Sequence, residues 1–183
     1  MKTFKPRIKA RLRKNRQTLN KNIDNFFGWI KGAKLVELKE CNTEEDPVRP
    51  ELDNEFRTGY GRKIYGVEYQ GVIHAVMCFA YTNKIPRSVE ELEKLSTDAF
   101  LQSAMRDQAG GQIAIAYTVW SKKKGGGKLI VKEVFKKIKK SNHLNRLVTL
   151  SPLTEMATKF HTRNGAKLVQ INETTQNFEY KVL

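Results

Sequence analysis

QIAIAYTVWSKKKGGGKLIVKEVF, residues 112–135, holds three physical devices in succession. From Gln112 to Trp120 apolar residues occupy both faces of an extended chain, which predicts a buried strand. Gly125, Gly126 and Gly127 lack β-carbons, so the backbone there can turn sharply and let an anion come close. Beyond Lys128, Leu129, Ile130, Val134, Phe135 and Ile138 recur at helical spacing with lysines between them, which predicts an amphipathic helix. A strand, a glycine loop and a helix in that order aim the unpaired N–H groups of the helix's first turn at an anion, assisted by the helix dipole. Lys122, Lys123, Lys124 and Lys128 add positive charge, so a diphosphate suits the loop. Taken alone, the run reads as well as a solvated turn. It is not a Walker A loop, because Leu129 follows Gly127-Lys128 where Ser or Thr is required, and it lacks Gly-x-Gly-x-x-Gly spacing.

Working outward, Lys34–Glu40 alternates as a first strand. A loop with a short helix follows over residues 42–57. Residues 62–69 and 72–81 are rich in β-branched and aromatic side chains and are joined by Gln70-Gly71, the signature of a hairpin. Ser88-Val89-Glu90-Glu91 is a capping box, and the helix it opens runs through Leu101 and Met105 until Ala109-Gly110-Gly111 breaks it. This segment reads as a lid, a partner surface or a cover for a sheet edge. After the loop and its helix come a short buried strand at 146–150, a helix from Leu153 to Asn164 that Gly165 ends, and strands at 167–171 and 178–182. Two caps compete for that last helix: Thr154, and Ser151 with Pro152 at the first helical position. Upstream, Leu19, Ile23, Phe26, Phe27 and Ile30 form the apolar stripe of another helix.

The 183 residues carry a net charge of +15, distributed unevenly. Residues 1–34 hold eleven Lys/Arg against one acid, residues 35–110 nine against fourteen, and residues 111–183 fourteen against four. Surfaces of opposite sign follow, and the positive ones favour a nucleotide, a nucleic acid or an acidic protein. Residues 1–16, with eight bases and no acid, read as a solvated arm, a contact for nucleic acid or an acidic protein, or a transit segment. No apolar stretch approaches the roughly 20 residues of a membrane span. Cys41 and Cys78 lack metal-ligand spacing and read as reduced thiols of a cytoplasmic protein.

Lys122-x-x-Gly125-x-Gly127 resembles the Arg/Gln-x-x-Gly-x-Gly/Ala motif of the GNAT (Gcn5-related N-acetyltransferase) superfamily, with lysine in the first position. About thirty residues later, Ala157-Thr-Lys-Phe160-His161-Thr-Arg-Asn164-Gly165-Ala166 is similar to the family's second motif, a helix that runs into Tyr-x-x-x-Gly-Phe. The resemblance implies a mixed α/β domain over residues 34–183 behind a basic arm and amphipathic helix at 1–33. Its central sheet would be mixed, mostly antiparallel, with splayed central strands and flanking helices.

It further implies acetyl-CoA as co-substrate, with no metal. The amides of Lys123 to Lys128 would bind the diphosphate, backbone groups near Thr118 and Val119 the pantetheine, and Arg163 with outer lysines the 3′-phosphate. His161 stands where the family carries its tyrosine acid, and an imidazole pKa near 6.5 suits acid–base work. For a general base Glu68 is the nearest carboxylate, with Asp107 and His74 behind it. Two functions stay open. One is N-acyl transfer to the amine of a small molecule or a protein. The other is a non-catalytic protein of this fold that acts through basic surfaces on nucleic acid, or in a cellular or viral assembly.

Overall fold

The computed structural model describes residues 28–106 and 110–181. Residues 35–183 form one compact unit. Of the predicted arm and first helix, only residues 28–32 are described, as helix, with Ala33 N–H donating to the Trp29 carbonyl at 3.0 Å. The expected contact surface at 1–16 lies outside the described residues.

Eight strands are described: β1 (Lys34–Leu38), β2 (Lys63–Tyr69), β3 (Val72–Thr82), β4 (Ile113–Ser121), β5 (Arg146–Thr149), β6 (Ser151–Pro152), β7 (Lys167–Ile171) and β8 (Thr175–Tyr180). They form one sheet in the order β1-β2-β3-β4-β5-β8-β6, with β7 paired to β8. Besides residues 28–32, four α-helices are described: α1 (Asn54–Thr58), α2 (Val89–Arg106), α3 (Gly126–Lys139) and α4 (Glu155–Arg163). From β2 to β8 the pairings are antiparallel except β4 with β5, which is parallel and contains the α3 crossover. The mixed, mostly antiparallel sheet expected from the sequence is the one observed.

Local chemistry explains the elements that matter here. Gln70 and Gly71 have φ of 53° and 76°, the left-handed pair that a two-residue hairpin turn matched to strand twist requires. The helix α3 buries Leu129, Ile130, Val131, Val134 and Ile138 and turns lysines to solvent. Beneath the sheet lies a core of Ile64, Val76, Cys78, Ala80, Leu92, Ile113, Ile115, Tyr117, Trp120, Val148 and Leu150. Thr154 is the cap of α4, its side chain accepting from Ala157 N–H at 3.2 Å. Its rival Ser151-Pro152 is drawn into β6, opposite Gln176 and Thr175.

Strands β4 and β5 part company partway along. They pair from Ile113↔Arg146 to Ala116↔Thr149, and Leu150 N–H donates to the Ala116 carbonyl at 2.9 Å. There the pairing stops. On the other side of β4 the partner of Cys78 is Thr118 while that of Phe79 is Ala116, so Tyr117 is the extra residue of a bulge, which bends the bulged strand. On its own side, β5 is pulled away. Asn177, fully buried, donates Nδ2–H to the Thr149 carbonyl at 2.8 Å and to the Pro86 carbonyl at 3.0 Å, and the chain then enters β6 on β8. Between the parted strands a fork opens.

Candidate functional site

The glycine loop lies at the mouth of this fork. Gly125, with φ of 86°, is the left-handed residue ahead of α3, so the helix begins at Gly126, two residues before the expected Lys128. Two neighbours are small for reasons of contact. A β-carbon on Gly126 would stand 3.0 Å from Ser121 Cβ and 3.3 Å from Ala75 Cβ, and one on Gly127 would stand 3.2 Å from Phe160 Cε2. Gly126 N–H closes the turn by donating to the Lys123 carbonyl at 2.9 Å, so that amide, one of the expected diphosphate ligands, already has a partner. Among the described residues no hydrogen bond takes the amides of Lys124, Gly125, Gly127 or Lys128. These are the unpaired donors that a helix start offers to an anion.

An outer groove of about 600 Å³ runs from the loop across α4, lined by Ser121, Gly125, Gly127, Lys128, Glu155, Met156, Lys159, Phe160, Arg163 and Asn164. Its charged groups are Lys128, Lys159 and Arg163, with Glu155 bound to Lys159 at 2.5 Å. Two of the other loop lysines are engaged elsewhere. Lys122 Nζ pairs with Glu45 at 2.6 Å, and Lys123 Nζ sits 5.0 Å from the Tyr69 ring centroid. Lys124 is exposed.

Inward of the groove, and sharing Ser121, Gly127, Met156 and Phe160 with it, a cavity of about 240 Å³ enters the fork. Thr118 and Val119 line it, as do Met77, Val131, Thr149, Ser151, His161 and Tyr180, and Pro47 with Val48 also contribute. No Asp or Glu is among its lining residues.

His161 is buried at 5 % exposure. Its Nε2 lies 2.8 Å from Ser151 Oγ and its Nδ1 2.9 Å from Tyr180 Oη, while Ser151 Oγ–H donates to Thr149 Oγ1 at 3.0 Å. Burial pushes its pKa down to about 4, because a desolvated imidazolium with no carboxylate partner is unfavourable. The expected pKa near 6.5 is therefore corrected: this imidazole is neutral at physiological pH. Glu68 sits on β2 opposite Ile73, beside the register shift at Val67/Glu68, and does not line the cavity. The structure does not bring it together with His161 there. His74 does not line the cavity either; its carbonyl accepts from Lys122 N–H at 2.9 Å. Asp107 lies outside the described residues.

Behind the fork is a cluster that sequence reading missed. Asp46, 1 % exposed, accepts from Thr118 Oγ1 at 2.8 Å, from the amides of Val48 and Arg49 at 2.9 and 3.2 Å, and pairs with Arg57 at 2.9 Å. Arg57, fully buried, also reaches the Arg49 carbonyl at 2.7 Å and Cys78 Sγ at 3.3 Å. Arg49 Nε–H donates to the Tyr117 carbonyl at 2.9 Å and its Nη2–H to the Leu150 carbonyl at 3.1 Å. Burial lowers the Arg49 pKa below the ordinary guanidinium value. The segment carrying Asp46 and Arg49 reads as an acidic loop in sequence. The one available signal was a pair of arginines inside it.

Among the described residues no cluster of His, Cys, Asp or Glu could hold a metal ion, and no helix is long and apolar enough to cross a membrane. Both cysteines are free thiols.

No family model matches the sequence, and no curated protein does. Solved structures do. The GphF GNAT-like decarboxylase in complex with isobutyryl-CoA superposes with a TM-score of 0.62 at 10% identity, over 82% of this chain and 100% of that one. The loading GNATL domain of CurA from Lyngbya majuscula gives 0.59 at 12% identity over 82% and 98%. A Bacillus subtilis acetyltransferase in complex with CoA gives 0.56 at 13% identity over 82% and 99%. At such identities the likeness is one of architecture, and the parted β4 and β5, the glycine loop and α3 agree with it: the chain has the GNAT fold.

Proposed function

We propose that this protein binds an acyl-coenzyme A, acetyl-CoA in the simplest case, and transfers the acyl group to an amine. The observation that carries this reading is the continuity of the unpartnered amides and basic groove at the start of α3 with a largely apolar cavity that enters the β4–β5 fork. The amides of Lys124, Gly125, Gly127 and Lys128 would hold the diphosphate, and Lys128, Lys159 and Arg163 would meet the remaining phosphate charge. Thr118 and Val119 would flank the pantetheine arm. Bound there, the thioester supplies an activated acyl group.

The chain's own residues then orient and move protons. With no carboxylate on the cavity wall, the amine must arrive neutral or lose its proton to water. Neutral His161 bridges Tyr180 and Ser151, so it serves as a fixed hydrogen-bonding link. It fixes the Ser151 hydroxyl at the cavity wall, and the proton that the departing thiolate takes up is the one the acylated amine gives up, carried between them by water.

A thermal-shift titration with CoA and acetyl-CoA, followed by thiol release on adding amines, tests the reading. Ligand at a hundred times its Kd should stabilise the fold by about 2.7 kcal/mol, and Gly126→Asp should abolish the effect. No stabilisation by either ligand sinks the proposal. Acyl-CoA conversion that needs no amine would redirect it toward decarboxylation, the activity named for the first neighbour above.

The second reading, a basic binding protein, draws on the outer face of α3, where residues 128–140 hold six lysines and one glutamate. Salt-sensitive binding of nucleic acid that survives Gly126→Asp would favour it.

A further inference from the structure

The fork needs something to hold it at one width. Beyond Ala116↔Thr149 the facing edges of β4 and β5 have lost their ladder, and unpaired carbonyls in a buried gap are costly. Two of those carbonyls, Tyr117 on β4 and Leu150 just after β5, are bridged by one guanidinium. Arg49 Nε–H takes the first at 2.9 Å and Nη2–H the second at 3.1 Å. A planar guanidinium fixes the separation of its two acceptors in a way that a flexible ammonium does not. The wedge is itself clamped. Asp46 accepts from the Arg49 amide at 3.2 Å and from Thr118 Oγ1 on β4, and Arg57 holds the Arg49 carbonyl at 2.7 Å. Pro47 and Val48, between Asp46 and Arg49, line the cavity.

We propose that Arg49 is a positioning residue: it spans the parted strands and sets the gap that seats the pantetheine arm. This rests on the acyl-CoA reading above. It makes a claim that a merely stabilising arginine would not satisfy. Loss of Arg49 must weaken binding of the part of the ligand in the fork and spare the part at the glycine loop.

The test is calorimetric titration of wild-type, Arg49→Met and Arg49→Lys proteins with two probes, CoA and its 3′-phospho-ADP fragment, which lacks the pantetheine. Hydrogen bonds to a charged group predict about a ten- to hundredfold loss of CoA affinity in Arg49→Met, with the fragment's affinity unchanged. Arg49→Lys should lie between. Equal loss of both probes, or no loss of either, overturns the proposal. Should Arg49→Met not fold, Arg49→Lys must show the same split in a folded protein for the proposal to stand. Wild-type protein that binds the fragment and not CoA overturns it too. Wild-type protein that binds neither removes the acyl-CoA reading itself, and this proposal with it.

Discussion

His161 has its protonation state set by burial, and that carries a consequence for stability. Its folded pKa of about 4 lies below the ordinary 6.5. Between those values the unfolded chain takes a proton that the folded chain refuses. The unfolded state therefore binds more protons, and stability falls as pH falls through 6.5 toward 4. The full loss from this group is on the order of 3 kcal/mol. Urea titrations at several pH values across that window should show it, and His161→Gln should flatten the slope. A variant as pH-sensitive as the wild type would refute the assignment. Gly125 makes a second residue-scale case. At φ of 86° an L-residue pays for its β-carbon, so Gly125→Ala should lose about 1–2 kcal/mol, read from the urea midpoint. His161 was singled out by its spacing to Gly165, and the structure places it on the cavity wall. Its pKa was not, because desolvation depends on Ser151, Phe178 and Tyr180 closing around it, and these come from other elements.

At the scale of elements, α3 and α4 divide the work of the outer groove. Lys128 comes from the first and Lys159 and Arg163 from the second. Exposed charges of this kind each contribute modestly, so Lys128→Gln or Arg163→Gln should weaken CoA binding about two- to fivefold and reduce its salt dependence. Titrations at two ionic strengths measure both. The presence of these helices was readable, and their starts to within two residues: α3 begins at Gly126 where Lys128 was expected, and α4 at Glu155 where Leu153 was. Thr154→Ala should cost about 1 kcal/mol through loss of the α4 cap, measured by thermal unfolding. What decided between Thr154 and Ser151 was not local: β8 recruits Ser151-Pro152 as a strand partner, which leaves Thr154 to begin the helix.

Across the whole molecule the acidic-looking stretch 42–57 keeps half of its residues exposed and sends Asp46, Arg49 and Arg57 inward. Asp46 and Arg57 are both fully desolvated at 2.9 Å, joining the loop to α1, while Thr118 and Arg49 tie it to β4 and to the chain beyond β5. Removing one member of a buried pair leaves an uncompensated charge. Asp46→Ala should therefore cost about 3–5 kcal/mol, far more than an exposed acid such as Glu51, and denaturant unfolding of the two variants side by side would decide it.

By itself the sequence determined the elements and the glycine loop that starts α3. Hydrophobic period, turn glycines and capping residues act over a few positions, and Gly125-Gly126-Gly127 before an amphipathic helix is a complete device in one run of chain. Tertiary structure decided the fork, the neutral state of His161 and the wedge at Arg49. Each of these depends on a register between distant strands: the extra residue at Tyr117 opposite Cys78 and Phe79, the pull of Asn177 on Thr149, and a loop some seventy residues before β4 reaching into the gap. A charge pattern cannot disclose which arginine will be buried, because burial is settled by what packs over it.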